Sequence, residues 1–182
     1  MSESESSQRL SPGFRIKRLI VSTSLLALGT AFEIVSKSDP GLKAELKDWE
    51  EGREFSMGVL PDGPSITMKK EGDHIRFLGK GIGTPKLVIY FKNIDCALLP
   101  LSGQIGADTA FAQHRAILHG NVADAMQTNR AMAIVQKYLL PDFILKKGSK
   151  RPPKYTGAQL MLKMKVMSIL GLAMLLNSMK QA

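Results

Sequence analysis

Four short runs between residues 54 and 91 place apolar side chains at every second position. The first run, EFSMGV, alternates apolar with polar or small residues, and the alternation returns in three further runs. A period of two predicts β-strands that bury one face. The turn sequences PDGP and KEGD separate the first three runs, and GKGIGTPK at 79–86 separates the last two. We therefore predict an antiparallel meander in which residues 79–86 form a hairpin loop.

The inward positions of these strands are the first candidate binding residues. They are wholly apolar and contain no acid, base or nucleophile: Phe55, Met57, Ile66, Met68, Ile75, Phe77, Leu87, Ile89 and Phe91. A surface of this kind either fills a solid core or lines a cavity for an apolar ligand, and periodicity does not separate the two.

A helical pattern precedes the strands. Residues 14–36 predict a first helix that contacts the core or a membrane and ends before Pro40. Its predicted inner face consists of Ile16, Leu19, Ile20, Ala27, Ala31 and Ile34. The basic cluster and apolar run of residues 15–31 also match an export signal, which makes removal of this segment the alternative. A short charged helix follows, with Leu42, Leu46 and Trp49 facing inward.

Helical patterns return after the fourth strand. Asn93 or Asp95 can cap the segment CALLPLSG, and Asp108 can cap TAFAQ. Residues 115–119 predict a short fifth strand that places Ala116 on its inner face together with Leu118.

A long helix closes this part of the chain. Asn121 is its predicted N-cap, Asp124 takes the place of a capping-box acid, and Pro141 ends it. Its predicted inward stripe consists of Val122, Ala125, Met126, Met132, Ala133 and Leu139.

This order of elements predicts an α+β fold, with a five-stranded, largely antiparallel sheet packed by helices and extra apolar helices at both ends. Residues 1–13 predict a disordered leader, and residues 14–141 the folded domain. Residues 142–159 predict a basic linker, and residues 160–179 an apolar C-terminal helix.

The positive charge is concentrated in the last part of the chain. The net charge is +9, and residues 141–182 hold eight Lys and Arg against one Asp, a balance of +7. A nucleic-acid-binding domain more often carries its basic patch on the folded part, interleaved with aromatic residues. We therefore expect no nucleic-acid partner.

Candidate catalytic and metal-binding residues are few. His114 and His119 lie five positions apart, an odd spacing that places them on opposite faces of a strand, so they do not share a metal. His74 lies in a predicted turn, and Cys96 is the only cysteine, which excludes a thiolate metal cluster. We expect neither enzymatic activity nor a metal or cofactor.

The segment from residue 86 to residue 126 resembles the sterol carrier protein type 2 domain. The resemblance is carried by VIYFKNIDCALLPLSGQ, TAFAQ, RAILH and GNVADAM, in the order strand, helix, helix, short strand and long helix. It extends more loosely over residues 25–140. His114 stands where that family often has glycine, and Asn121 stands where aspartate is common.

The resemblance implies an apolar tunnel that holds a lipid or acyl chain, in a domain without catalytic activity of its own. It adds lining residues from the helices and the fifth strand to the strand positions given above: Leu98, Leu101, Phe111, Leu118, Met126 and Met132.

The C-terminal segment leaves three arrangements open. It inserts shallowly in a membrane, it closes over the pocket as a lid, or it pairs with the helix at 19–35 of this chain or of a second copy. A basic linker beside an apolar run is a two-signal anchor, which favours membrane contact. The predicted membrane-contact residues are Lys146, Lys147, Lys150, Arg151, Lys154, Lys163, Lys165, Leu170, Leu172 and Leu175.

Together these features predict a lipid-binding or lipid-transfer protein that is cytoplasmic and peripherally membrane-associated, or exported if residues 15–31 act as a signal. The alternative is an accessory protein that presents an isoprenoid, quinone or acyl lipid to membrane-associated biosynthetic enzymes. The expected partners are a lipid ligand and a membrane surface, with a second copy of the chain or a biosynthetic enzyme as further candidates.

Overall fold

The computed structural model describes residues 11–140 and 155–179, which form an α+β fold. Within these residues the elements follow in chain order as α1 (Pro12–Ser38), α2 (Pro40–Leu46), β1 (Glu54–Val59), β2 (Ser65–Glu71), β3 (His74–Lys80), β4 (Leu87–Phe91), α3 (Ile94–Leu101), α4 (Ala107–Ala112), β5 (Ala116–His119), α5 (Val122–Leu139) and α6 (Gly157–Met179). The strands form one sheet in the order β3-β2-β1-β4-β5.

The sheet is mostly antiparallel, as predicted, but its topology is not a four-stranded meander. β1, β2 and β3 are joined by antiparallel pairing, and β5 is antiparallel to β4. β4 instead lies beside β1 and runs parallel to it, with Phe55 opposite Leu87 and Val59 opposite Phe91. The prediction that β4 continues the meander is therefore wrong.

The predicted hairpin loop at 79–86 is wrong: residues 79 and 80 end the edge strand β3, and residues 81–86 carry the chain from β3 to β4. The Thr67 hydroxyl donates to the Gly81 carbonyl at 2.7 Å, and it pairs with the Ser56 hydroxyl at 2.6 Å. A Cβ on Gly58 would lie only 3.0 Å from Cδ1 of Ile82. Small residues in β1 and β2 thus leave room for this segment on the outer face of the sheet, a contact that strand periodicity does not reveal.

Helix α1 packs against β2 and β3. Ser11 caps it by accepting the Phe14 N–H at 3.2 Å. A Cβ on Gly29 would lie 2.6 Å from the Phe77 ring, so a residue without a side chain lets the helix approach β3 closely. The buried stripe of α1 consists of Val21, Leu25, Leu28, Phe32 and Val35.

The predicted inner face of the first helix is therefore partly wrong. Ala27 and Ala31 are buried, but Ile16, Leu19 and Ile20 are exposed because the first turns extend beyond the stripe that packs on the sheet. By length and composition α1 could also span a membrane, with a mean hydropathy of 1.7 over its best 18-residue window. In the fold 44% of that window is buried.

For α3, α4 and α5, the predicted caps agree with the structure better than the predicted inward residues do. Asn93 caps α3 and Asn121 caps α5, as predicted, whereas Gly106 and not Asp108 precedes α4 as its cap. The prediction for α2 is confirmed, since Leu42, Leu46 and Trp49 are all buried.

Three residues of the predicted inward stripe of α5 face outward instead. Val122, Met126 and Ala133 are exposed, and Met126 is 53% exposed. Met126 lies one residue after the buried Ala125 and is therefore turned by about 100° from it. The observed inner stripe is Ala125, Thr128, Ala131, Met132, Val135 and Tyr138.

Side chains of α1 cover the free edge of β3. The Ile75 N–H donates to the Ser36 hydroxyl at 3.0 Å, and the Phe77 N–H donates to the Glu33 carboxylate at 3.2 Å. These backbone donors point away from β2, and an unpaired edge is a template for association with other strands. Helix α1 therefore supplies hydrogen-bond acceptors to the backbone of β3 and also buries its own apolar stripe against the sheet.

We predict that Ser36→Ala lowers the free energy of unfolding by about 1–3 kcal/mol, because the buried Ile75 N–H loses its acceptor. Ser38→Ala, at an exposed position in the same helix, is the matched control and should change stability by less than about 0.5 kcal/mol. Chemical denaturation of both variants measures the difference. Equal stabilities would show that the edge contact contributes nothing.

Candidate apolar ligand site

An apolar cleft of about 260 Å³ lies between α1, α3, α5 and α6. Its walls are mostly aliphatic, and their polar members are one hydroxyl and one amide side chain. The lining residues are Ser24, Ala27, Leu28, Leu101, Gln136, Leu139, Leu140, Met167 and Gly171. A cleft with this lining fits an apolar body better than a polar or charged ligand.

The cleft leads towards the interior of the sheet. Leu101 and Gln136 belong both to its wall and to the wall of a small void of about 10 Å³ that lies against β1 and β4. The two spaces thus share two residues of their walls. The void is also lined by Met57, Ile89, Phe91, Pro100, Ala107, Ala110, Phe111, Ala116 and Met132.

Most of the predicted lining residues lie in this interior. Those buried in the core, on the sheet or facing it, are Phe55, Met57, Ile66, Met68, Ile75, Leu87, Ile89, Phe91 and Met132. Phe77, Leu98, Leu101, Phe111 and Leu118 are partly buried and pack against it. Met126 is wrongly predicted as a lining residue, because it is exposed. Whether the others contact a ligand stays a prediction.

The cleft itself was not predicted from the sequence. Its walls come from helix faces that meet only in the folded chain, including Ser24 of α1 and Met167 of α6. A signal was present, because the STS run at 22–24 interrupts the apolar segment of α1 with small polar residues. Small residues on an otherwise apolar helix leave space beside it.

Helix α6 forms one wall of the cleft and packs on α1 and α5. Two of its own side chains, Leu162 and Val166, are buried in this packing. The side chain of Gln159, near the start of the helix, donates to the Asp39 carboxylate at 3.3 Å. Helix α6 thus both covers the cleft and packs against the first helix. These are two of the three arrangements that the sequence left open.

The predicted membrane-contact residues divide into three groups. Lys163 is buried, and its ammonium group lies 3.0 Å from the Tyr155 hydroxyl, so membrane contact by this side chain stays a prediction. Lys165 is exposed. The remaining predictions lie outside the described residues or side chains: Lys146, Lys147, Lys150, Arg151, Lys154, Leu170, Leu172 and Leu175.

A buried carboxylate joins the helices around the cleft. Asp39 is 2% exposed, caps α2 by accepting the Leu42 N–H at 2.7 Å, and accepts the Tyr138 hydroxyl at 2.5 Å. Burial, followed by the nearby Asp39, raises the pKa of Tyr138 above its ordinary value. The phenol therefore stays protonated and continues to donate to Asp39 at pH values where exposed tyrosines ionise.

The inward side of the sheet also carries a charged residue that contradicts its predicted wholly apolar character. Arg53 directly precedes β1, is 3% exposed, and donates from Nη1 to Asp124 and to Gln127, each at 2.8 Å. Its guanidinium carbon lies 3.9 Å from the centre of the Trp49 ring. Burial lowers the pKa of Arg53, while the Asp124 carboxylate acts in the opposite direction.

Sequence reasoning missed Arg53 although the signal was present. Counting back by two from Met57 and Phe55 reaches Arg53, which the strand period therefore places on the buried face. Asp124, predicted as a capping-box acid, is the ion-pair partner of this arginine.

The histidines do not form a site. His114 precedes β5 with a φ of 54°, the left-handed region that favours glycine, and the His119 ring packs edge-on against Tyr90. Within the residues that the structure describes, no group of three or more His, Cys, Asp or Glu side chains could hold a metal ion.

The solved structures that are similar to this chain include sterol carrier protein domains. A UbiJ-SCP2 ubiquinone synthesis protein matches with a TM-score of 0.43 and 13% identity over 66% of this chain and 98% of its own. A conserved protein from Thermus thermophilus, described as possibly a sterol carrier protein, matches with a TM-score of 0.47 and 15% identity over 68% and 87%. Sterol carrier protein 2 matches with a TM-score of 0.47 and 16% identity over 65% and 95%.

No protein-family model matches the sequence, and no curated protein matches it.

We predict that Tyr138 makes the stability of the chain fall with rising pH above about pH 10. Because its pKa is higher in the folded chain than in the unfolded chain, the unfolded chain loses this proton first. The stabilisation is complete below about pH 10 and is lost as the pH rises, by at most about 1.4 kcal/mol per pH unit.

Denaturation of the native chain and of Tyr138→Phe between about pH 8 and about pH 11 tests this. The difference in unfolding free energy between the two should be constant up to about pH 9.5 and should then shrink. Tyr90→Phe, on the outer face of the sheet, serves as the control. A Tyr138→Phe difference that stays constant throughout would contradict the prediction.

Proposed function

We propose that this chain binds a lipid or another long apolar molecule in the cleft between α1, α3, α5 and α6 and carries it without chemical change. The observation on which the proposal rests is the cleft of about 260 Å³, whose mostly aliphatic wall adjoins the void against the sheet. The sequence resemblance of residues 86–126 to a lipid-carrier domain points to the same class of ligand.

Burial of hydrocarbon supplies the binding energy for such a ligand. Each buried CH₂ group contributes roughly 0.8 kcal/mol, so shape and volume suffice without many polar contacts. The two polar side chains of the wall, Ser24 and Gln136, leave most of its surface available for hydrocarbon.

The size of the cleft indicates that α6 moves when a ligand binds. Pockets for small molecules measure roughly 300–1,000 Å³, above the volume of this cleft. Met167 and Gly171 of α6 form one wall, so a shift of this helix enlarges the space without disturbing the sheet. The N-terminal end of α6 is held by two hydrogen bonds. The Gln159 side chain donates to the Asp39 carboxylate, and the Tyr155 hydroxyl, just before the helix, donates to the Lys137 carbonyl at 3.0 Å.

The outward side of α6 provides the surface for contact with a membrane in this proposal. Met161 is 74% exposed and Met164 is 65% exposed, and Leu160 and Ile169 on the same helix are also exposed. In the sequence these exposed apolar residues follow the basic segment at 146–154. Insertion of apolar side chains and attraction of basic side chains to anionic headgroups are the two interactions that hold a peripheral protein on a membrane. Binding of α6 to lipid would release the wall of the cleft and let the ligand exchange.

We predict that Ser24→Phe lowers the affinity for apolar ligands by about tenfold or more, because the added ring fills the cleft. The measurements are titration with Nile red and organic extraction of the purified protein followed by mass spectrometry of released lipid. Thr23→Phe is the matched control, since it adds the same ring to a half-buried neighbouring position outside the cleft wall.

The proposal is supported if the native chain and Thr23→Phe hold lipid while Ser24→Phe does not. It is overturned if the native chain releases no lipid on extraction and does not bind Nile red. Equal binding by all three proteins would place the ligand elsewhere.

We also predict that the full chain sediments with vesicles that contain anionic phospholipid at low salt, and that salt releases it in part. The double variant Met161→Glu with Met164→Glu should sediment at least about tenfold less, because each carboxylate would have to enter the lipid surface. Ser168→Glu, on the same helix, is the control for added charge. A native chain that remains wholly in the supernatant would contradict membrane contact.

A further inference from the structure

A second pocket lies on the other side of helix α1 from the apolar cleft. Its volume is about 300 Å³, and it is bounded by α1, the turn between β1 and β2, and the end of β3. Ser22 and Leu26 of α1 line this pocket, whereas Ser24 and Ala27 line the cleft. Successive residues of a helix are turned by about 100°, so the two pairs lie on different faces of α1. The pocket is therefore separate from the proposed lipid site.

Two cations line this pocket from two different walls. Arg18 belongs to α1 and Lys80 to the end of β3, and none of the lining residues carries a carboxylate. Nη2 of Arg18 donates to the Asp62 carbonyl at 3.1 Å, and among the described residues neither Arg18 nor Lys80 pairs with a carboxylate. Like charges in one pocket repel each other, so an anion bound between them is favoured.

An irregularity of the sheet brings Lys80 to the side of α1. Met68 lies opposite Phe77, but Thr67 lies opposite Gly79, so Leu78 is an extra residue in β3. Strict alternation from the inward-facing Phe77 would place Lys80 on the outer face. After the extra residue Lys80 lies opposite the buried Ile66 and shares its inner face. Bulges that redirect a side chain in this way are frequent beside functional sites.

Helix α1 adds a hydroxyl group and a third cation on the same side. Ser22 lies four residues after Arg18, is half-buried, and makes no side-chain hydrogen bond to another described residue. Arg15 lies three residues before Arg18 and is exposed. Residues three and four apart are neighbours on a helix surface, so the three side chains form one polar row. This row and Lys80 provide donors from two directions, as an anion with several oxygens requires.

The floor of the pocket is apolar. Leu25 and Ile66 line it and are fully buried, whereas the two cations Arg18 and Lys80 are exposed at its mouth. Pockets for small molecules begin at roughly 300 Å³, so there is room for an organic group as well as for the anion. A ligand with a charged end and an apolar body fits this division.

We propose that this pocket binds a phosphate monoester, with its phosphate between Arg18 and Lys80 and its organic group against Leu25 and Ile66. Several cations without a carboxylate favour a doubly charged phosphate over a singly charged acid. A water-soluble ester and the headgroup of a lipid that ends in a phosphate monoester present the same chemistry. The inference does not depend on the lipid cleft, because the two sites use different faces of α1.

The test is a titration of the isotope-labelled full-length protein, followed by nuclear magnetic resonance of the backbone amides at about pH 7.5. Phenyl phosphate is the probe, and benzenesulfonate, which has the same ring but one negative charge, is the comparison. At this pH a phosphate monoester carries close to two charges, since its second pKa is about 6. Gly63 and Gly81 line the pocket and report binding there, and Gly171 in the cleft wall reports binding in the cleft.

Phenyl phosphate should shift the signals of Gly63 and Gly81 but not that of Gly171, and should bind about tenfold more tightly than benzenesulfonate. The double variant Arg18→Gln with Lys80→Gln should lower its affinity for phenyl phosphate by about tenfold or more. Lys47→Gln with Arg76→Gln removes two exposed charges outside the pocket and is the matched control. The control should stay within about twofold of the native chain, because salt screens distant charges.

A lipid arm of the same titration distinguishes the two sources of the ligand. Dihexanoyl phosphatidic acid carries a phosphate monoester, whereas dihexanoyl phosphatidylcholine does not, and both are used below the concentration at which they form micelles. Phosphatidic acid that shifts Gly63 and Gly81 and competes with phenyl phosphate supports the site as one for a lipid headgroup. Phenyl phosphate that binds while phosphatidic acid does not supports it as one for a soluble ester.

Three outcomes would overturn the inference. The first is the absence of any shift of Gly63 and Gly81 up to about 10 mM phenyl phosphate. The second is equal affinity of the native chain for phenyl phosphate and benzenesulfonate, and the third is native affinity of the Arg18→Gln, Lys80→Gln variant. None of them bears on the lipid-carrier function, which Nile red and lipid extraction test at the cleft.

Discussion

The arrangement of helices around the cleft depends on one buried carboxylate. Asp39 stands at the joint between α1 and α2, where Pro40 begins a new helix, and its two oxygens accept from the backbone of α2, from Tyr138 of α5 and from Gln159 of α6. A charge removed from water requires such donors, so the need to satisfy Asp39 holds α2, α5 and α6 close to the end of α1. The apolar faces then close around the cleft at a fixed spacing.

Asp39 and Arg53 are both buried charges, but they differ in how completely their hydrogen-bonding groups are paired. Both oxygens of Asp39 have donors, whereas Arg53 is paired at Nη1 and unpaired at Nε and Nη2 within the described residues. The Asp39 carboxylate therefore contributes to the joining of the helices with its hydrogen bonds complete, whereas the Arg53 guanidinium is buried with its hydrogen bonds incomplete.

Much of the fold follows from local patterns in the sequence. Alternation identified the strands, and Asn93 and Asn121 marked the helix starts that the structure shows. Strand order was not accessible, because the path of residues 79–86 over the outer face depends on space left by Gly58 and on a hydrogen bond to Thr67. Such contacts join residues far apart in the chain and leave no periodic trace.

The candidate site shows the same division between local and long-range information. Strand period predicted the buried apolar residues and, if extended by one step, would have placed Arg53 among them. The cleft arises where four helices meet, so its volume depends on their packing angles and not on any one pattern. Likewise, Met126 differs from the buried Ala125 by a single position along α5, a distinction that a broad apolar stripe does not resolve.

Residues 12–38 cannot pack on the sheet and span a bilayer at the same time. In this fold Ser36 and Glu33 accept hydrogen bonds from backbone N–H groups at the free edge of β3. Gly29 lets the helix pack closely against the Phe77 ring. A chain that placed the same helix across a bilayer would leave that margin open to pairing with strands of other molecules. The hydropathy of this segment and the hydrogen bonding of the β3 edge therefore place different demands on one helix, and in this fold the helix packs on the sheet.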